Sequence, residues 1–427
     1  MDSIFNSKDY KQSRAFYSAQ CMFEYFISIL AADAFLAKLL KDIGLSDALT
    51  GVLSSLISFT FLFKLFSIPL AGKMKTVKKP VIALDTVSQL LFASMYTVPF
   101  LPINVSAKAV IITAIILLAY LTLYLNTSIA YKWGNSFVSP DKRGSFSATK
   151  EMISLMAGVF FTLGAGFVVD SFENRGDLHG AFKFLAVAMI VICSFNFLCF
   201  GFMKEKPLSE SGAEQSVREI VNQTFRNRKF RNAMILTGLT EFARYMTVGF
   251  MGTYKTIDLG FSVSQIQIMN VAACMGRFAI SKPIGRYSDK IGFAKGYFLG
   301  NIMTLLAFVI GIFTAGKTRW LILPFTMLLQ MSYAGTNQNT FNMAYSYVDE
   351  KYILSAMAVN DSVRGIFGFF ASFIGSAILS GIQTNGNTFL GAGINGQQVL
   401  CAMSAVLTAA ALIFNSRVVS KQTEEKK

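Results

Sequence analysis

The feature that most constrains this chain is its series of apolar runs, each about 20 residues long and separated by short polar loops. A helix of about 20 apolar residues crosses the hydrocarbon core of a bilayer. Backbone groups at that depth find no water, so a spanning segment must satisfy its own hydrogen bonds. Helices are predicted near 17–39, 47–71, 81–101, 107–131, 152–170, 181–203, 233–254, 264–285, 293–315, 319–344, 358–382 and 397–415. Twelve spans take roughly 240 residues, a little over half of the 427. The chain is 53% hydrophobic and only 15% charged, against about 25% charged in a soluble chain. The expected fold class is all-α integral membrane, with twelve transmembrane helices in two six-helix repeats.

Net charge is +15, which in a soluble protein would suggest nucleic acid. Here the bases fall in alternate loops and the tails: Lys8, Lys11 and Arg14; Lys73, Lys75, Lys78 and Lys79; Lys142, Arg143 and Lys150; Lys204 to Arg231; Arg286, Lys290 and Lys295; Arg417, Lys421, Lys426 and Lys427. Cytoplasmic loops collect Lys and Arg. Both termini are therefore expected in the cytoplasm of a multi-pass cell-membrane protein, with the lipid bilayer as a partner and no nucleic acid. The cysteines Cys21, Cys193, Cys199, Cys274 and Cys401 lie in apolar runs without CxxC or Cys/His spacing. Neither a disulfide framework nor a metal site is indicated. The polar start is no signal peptide. The single histidine, His179, falls in an outer loop, and the Gly-rich segment 387–399 has no Gly-Lys-Ser/Thr. No cofactor and no enzymatic constellation is expected.

The longest hydrophilic segment, 204–231, divides the chain into a six-helix bundle at 1–203, a cytoplasmic linker, and a second bundle with its tail at 232–427. In the linker, Val217, Ile220, Val221 and Phe225 share one helical face, which predicts an amphipathic helix on the inner membrane surface. The halves repeat weakly. LKDIGLSDALTG parallels TIDLGFSVSQIQ, and a shift of about 216 residues sets Glu24 beside Glu241 and Lys64 near Arg277. Repeated halves around a midplane site are a transporter plan.

GRYSDKIGFAK at 285–295 resembles the inner-loop signature of the major facilitator superfamily, with Gly285, Asp289, Lys290, Gly292 and Lys295 at its fixed positions. Glycine permits a tight turn between helices, and Asp289 can meet a helix N-terminus or a base and latch a gate. The first-half loop PLAGKMKTVKK lacks the aspartate and second glycine. The 107–131 helix has no embedded arginine, and 152–170 lacks the Gly-Pro pattern of the family's drug/proton antiporters. The subfamily is left unassigned.

Charges in hydrocarbon cost at least about 2.5 kcal/mol each and usually face a cavity or a partner. Four acids (Glu24, Asp33, Glu241, Asp361) and four bases (Lys64, Arg244, Arg277, Arg364) are read as the charges kept in the hydrocarbon. Glu241 and Arg244, three apart, share a helix face, and Asp361 and Arg364 repeat the spacing. Each pair reads as either a static salt bridge or a proton- or substrate-responsive switch. Asp361, Arg364, Lys64 and Arg277 are expected in gating or structural roles. The resemblance implies that the first, fourth, seventh and tenth helices line a cavity. Their polar stripes are Gln20, Glu24 and Ser28; Tyr120, Tyr124 and Thr127; Thr237, Glu241, Arg244 and Tyr245; and Gln330, Tyr333 and Asn337. Amides and phenols offer neutral donors and acceptors to a polar solute. The expected function is secondary transport of a small polar organic solute by alternating access, by a functional monomer, with protons as a candidate coupling ion. A multidrug exporter of the same fold and a non-transporting solute sensor are the alternatives.

Overall fold

The computed structural model describes residues 7–74, 76–139, 143–205, 217–349, 352–389 and 392–424. Lys75, Lys142, Lys426, Lys427 and residues 206–216 of the expected linker lie outside the described residues. Helix covers every predicted segment. In chain order the helices are α1 (Lys8–Leu30), α2 (Asp33–Asp42), α3 (Asp47–Thr60), α4 (Lys64–Lys73), α5 (Lys78–Ser94), α6 (Val105–Asn135), α7 (Arg143–Asn174), α8 (Leu178–Phe202) and α9 (Val217–Arg226). They continue as α10 (Arg228–Tyr245), α11 (Val263–Ile291), α12 (Phe293–Ile312), α13 (Ile322–Tyr347), α14 (Ile353–Thr384) and α15 (Gly396–Phe414). A two-residue antiparallel pair, Thr388–Phe389 with Ala392–Gly393, sits in the Gly-rich loop.

Among the described residues, seven helical stretches are long and apolar enough to cross a membrane: Lys78–Phe100, Val105–Asn135, Thr149–Asn174, Leu178–Phe202, Phe293–Ile312, Ser355–Thr384 and Gly396–Gln422. The other predicted segments are helical too, but interrupted or polar. They include α1 with Glu24, α10 with Glu241 and Arg244, and α11 with Arg277.

The chain forms two compact units, Met1–Leu45 with Phe63–Ser216, and Ser46–Leu62 with Val217–Lys427. In the first unit, Tyr17, Val81, Ile129, Trp133, Phe137 and Phe200 share one apolar cluster. Lys78 at the start of α5 donates to the carbonyls of Gly201 (2.6 Å) and Met203 (2.8 Å), capping the end of α8. The Lys204 ammonium lies 2.8 Å from Asp9, and its hydrogen bond and charge hold that carboxyl below the usual range. The predicted 17–39 helix is not continuous. It breaks between α1 and α2, where Asp33 adopts φ +45°, a conformation that aspartate tolerates better than most residues. Tyr96 donates to the Leu30 carbonyl at 2.7 Å, so that end of the broken ladder is satisfied.

In the second unit, α3 lies along α14. Ser376 Oγ donates to the Ala48 carbonyl (3.1 Å) and Gln383 Nε2 to Asp47 (3.0 Å). The linker helix α9 is present and packs on α10 and α14. Its inward face is Ile220 and Thr224, whereas Phe225, placed by the sequence on the same apolar face as Ile220, is exposed. The α10 helix begins at Asn227, whose side chain accepts from the Phe230 amide at 3.1 Å. The α11 helix begins on a Ser262–Gln265 capping box and ends at Gly292, φ +102°, where glycine alone is unstrained. That turn delivers α12, which meets α13 almost backbone to backbone. A Cβ on Gly335 would stand 2.7 Å from Gly300 Cα.

Gly335→Ala should therefore lose roughly 1–3 kcal/mol through overpacking. Gly164→Ala meets nothing within 4 Å and should gain about 0.5–1 kcal/mol of helix propensity. Thermal unfolding of the two variants in detergent checks the opposite signs.

Candidate functional site

Each unit carries its own buried polar network. In the second unit the network forms on α10, α12, α13 and α14. Glu241 and Arg244 share the inward face of α10, as their spacing predicts, but the two local pairs are not separate. Arg364 of α14 donates through Nη2 to Glu241 Oε1 at 2.5 Å and through Nη1 to Asp361 Oδ1 at 3.4 Å. Arg244 Nη1 stands 3.8 Å from the same Glu241 oxygen. Glu241 is thus the hub, and its close partner lies 123 residues away in the chain. Asn360, one residue before Asp361, accepts from Thr237 Oγ1 at 2.8 Å and brings α14 and α10 together a turn from the charges.

Arg244 is 1% exposed. Its Nη2 lies 2.8 Å from Ser332 Oγ and 3.1 Å from both Thr304 Oγ1 and Thr336 Oγ1. The guanidinium sits over the Tyr333 ring, 4.3 Å from its centroid, and Arg277 of α11 lies 5.8 Å from the same ring. Arg244 Nε and Nη1, and Arg364 Nε, have no hydrogen-bond acceptor among the described residues. A buried donor left unmet costs about 1–3 kcal/mol, more when charged. This network has more donors than acceptors.

In the first unit, Gln20 Nε2 donates to Glu24 Oε2 at 2.8 Å on α1. Lys150 of α7 is within electrostatic reach of Glu24 and lies 4.6 Å from the Tyr17 ring centroid. The predicted set of embedded charges omitted Asp85, a buried acid on α5 that accepts from Gln89 Nε2 at 2.7 Å and from Asn196 Nδ2 of α8. The count of four acids against four bases is corrected accordingly. Asp85 could have been found by scanning each apolar run for any carboxylate. Its partner Asn196 carries no such signal.

The other predicted residues are placed as follows within their units. Tyr120 is buried edge-on to Phe92 (4.8 Å) and stacks on Tyr124 (5.8 Å), and Lys64 Nζ lies 5.1 Å from the Tyr124 ring centroid. Tyr245 packs against the apolar cluster of Met246, Phe250, Leu379 and Leu400. Gln330 is half-buried and Asn337 exposed on α13, outside the network that Tyr333 joins. Gly285 lies within α11 beneath Gln338, Gly292 makes the turn, and Asp289 and Lys290 are exposed in the last turn of α11.

Long apolar helices with charged side chains buried among them are the pattern of a multi-pass membrane transporter. The sequence matches the profile of the Major Facilitator Superfamily over residues 17–372 and 233–426. The chain belongs to that family, whose members are transporters. No curated protein matches it in sequence. Solved structures with the same fold include the nucleoside transporter NupG, with TM-score 0.67, 13% identity, and 96% of this chain and 99% of that one covered. The POT family transporter PepTSo (TM-score 0.67, 11% identity, 97% and 99%) and the D-xylose-proton symporter (TM-score 0.67, 12% identity, 95% and 97%) also share it.

Arg364→Gln removes the close partner of Glu241 and leaves a buried carboxylate, a loss of about 3–5 kcal/mol. Asp361→Asn removes a longer, partly hydrated contact and should cost about 1 kcal/mol or less. Unfolding of each variant in the same detergent checks the ratio.

Proposed function

We propose that this protein carries a small polar organic solute across the cell membrane by alternating access, with the solute's acceptor groups met by Arg244. The observation that carries this reading is the arginine itself. It is almost fully buried, two of its three nitrogens lack acceptors among the described residues, and one face is stacked on Tyr333. A solute carboxylate, hydroxyl or carbonyl oxygen supplies the missing acceptor, and the aromatic ring gives an apolar wall. Fold relatives are named for a nucleoside, a peptide and D-xylose. These differ in chemistry but are all polar, which supports a polar solute.

Protons are proposed as the coupling ion, taken up at Glu241 or Glu24. Protonation of Glu241 would release Arg364, and release of a buried partner is the kind of local event that biases a two-state element. The bases in alternate loops support cytoplasmic termini, and a monomer is proposed as the functional unit.

Counterflow in proteoliposomes tests the reading. Loading with nucleosides, sugars, peptides or organic acids in turn should give overshoot for one polar class. Arg244→Gln should reduce that overshoot at least tenfold. Glu241→Gln or Glu24→Gln should abolish its dependence on a proton gradient. Counterflow confined to hydrophobic cations, or wild-type proton dependence in both glutamate variants, contradicts the corresponding part.

A further inference from the structure

The transport reading makes no use of Asp85, Gln89 and Asn196. Asp85 is 2% exposed, Gln89 1% and Asn196 0%. Both amides give an N–H to the same carboxylate oxygen, Asp85 Oδ2. The remaining oxygens (Asp85 Oδ1, Gln89 Oε1 and Asn196 Oδ1) are buried with no donor among the described residues. Each amide oxygen is one carbon from a nitrogen bound to the carboxyl, so both lie within a few ångströms of Asp85. The result is a compact group of three unmet acceptors, one of them on a carboxyl, with one N–H of each amide turned to that carboxyl.

Acceptor oxygens left unmet in an apolar interior each cost about 1–3 kcal/mol. A proton on Oδ1, shared with one amide, would answer two of them. A water molecule has two hydrogens to give. A metal cation alone is received by three oxygens at once. Carboxylate and amide oxygens are hard ligands, suited to alkali and alkaline-earth ions and not to zinc or copper. One carboxylate balances one positive charge, and a divalent ion would leave a net charge buried. The neighbouring groups agree. Glu24 of α1 is within electrostatic reach of Asp85 and adds negative potential, while its own side chain is engaged by Gln20 and faces Lys150. Cys193, one turn before Asn196 on α8, is a further titratable group near Asp85.

We propose that Asp85, Gln89 and Asn196 form a binding site for a monovalent alkali cation, sodium, joining α5 to α8. The ion completes the coordination of three oxygens from side chains on two helices. Because a ligand that binds only the folded state raises its stability, occupancy is readable without any solute or transport.

The experiment uses the full-length protein purified in choline chloride at fixed pH. Its melting temperature is followed on addition of sodium, potassium or choline chloride at matched ionic strength, alongside equilibrium binding of radioactive sodium. The expected result is a saturable upward shift with sodium that potassium and choline do not reproduce, and about one sodium per chain. Gln89→Leu, which removes one oxygen and one N–H, should weaken sodium binding at least tenfold, and Asp85→Asn should abolish it. The surface change Asp9→Asn should leave it intact. If Asp85→Asn does not fold, the wild-type stoichiometry and the Gln89→Leu affinity still decide. Absence of saturable sodium binding, or equal shifts from all three salts, overturns the proposal and leaves the three oxygens to water or a proton. Binding is measured with no solute present, so failure here leaves the transport reading standing, and failure of counterflow leaves this site standing.

Discussion

The contact on which the second unit depends is the hydrogen-bonded ion pair between Arg364 and Glu241. Neither charge is tolerable alone at this depth, because removing an ion from water costs several kcal/mol even after relaxation. Together they tie α14 to α10. The surroundings follow from that tie. Thr237 and Asn360 join the same two helices next to it, and Arg244, displaced from close contact with the hub, lies instead against Tyr333 and the hydroxyls of Thr304, Ser332 and Thr336. The close approach of α12 and α13 at Gly300 and Gly335 sets the spacing of the helices that carry these hydroxyls.

Two buried groups leave opposite kinds of atom unmet. Among the described residues, Arg244 and Arg364 keep donors without acceptors, and Asp85, Gln89 and Asn196 keep acceptors without donors. The first invites oxygen-rich solutes, and the second invites a cation. The arginines lie in the second compact unit and the Asp85 group in the first.

Local patterns were legible in the sequence, and distant pairings were not. Apolar runs marked the long helical segments because segment length and bilayer thickness match. Gly292 was marked by its motif, and it makes the left-handed turn between α11 and α12. Glu241 and Arg244 were visible as an i,i+3 pair. Their hydrogen-bonded partner was hidden because α14 is far away in the chain, and helix spacing carries no information about which faces meet. Asp85 was passed over within a strongly apolar run, and Asn196 is uncharged. Tyr120 and Tyr245 fell on polar stripes by spacing, yet phenols are amphipathic, and these two pack on Phe92 and on the Phe250 cluster. The break at Asp33 was missed because a single residue with positive φ leaves the hydrophobic pattern unchanged.

Glu241 is bound to Arg364 in preference to its sequence neighbour Arg244. A pair of double-mutant cycles, read by reversible unfolding in mixed micelles, tests this directly. One combines Glu241→Gln with Arg364→Gln, the other Glu241→Gln with Arg244→Gln. A coupling of about 2–3 kcal/mol is expected for the first cycle and about 1 kcal/mol or less for the second, longer contact. Equal couplings, or a larger one with Arg244, would contradict it.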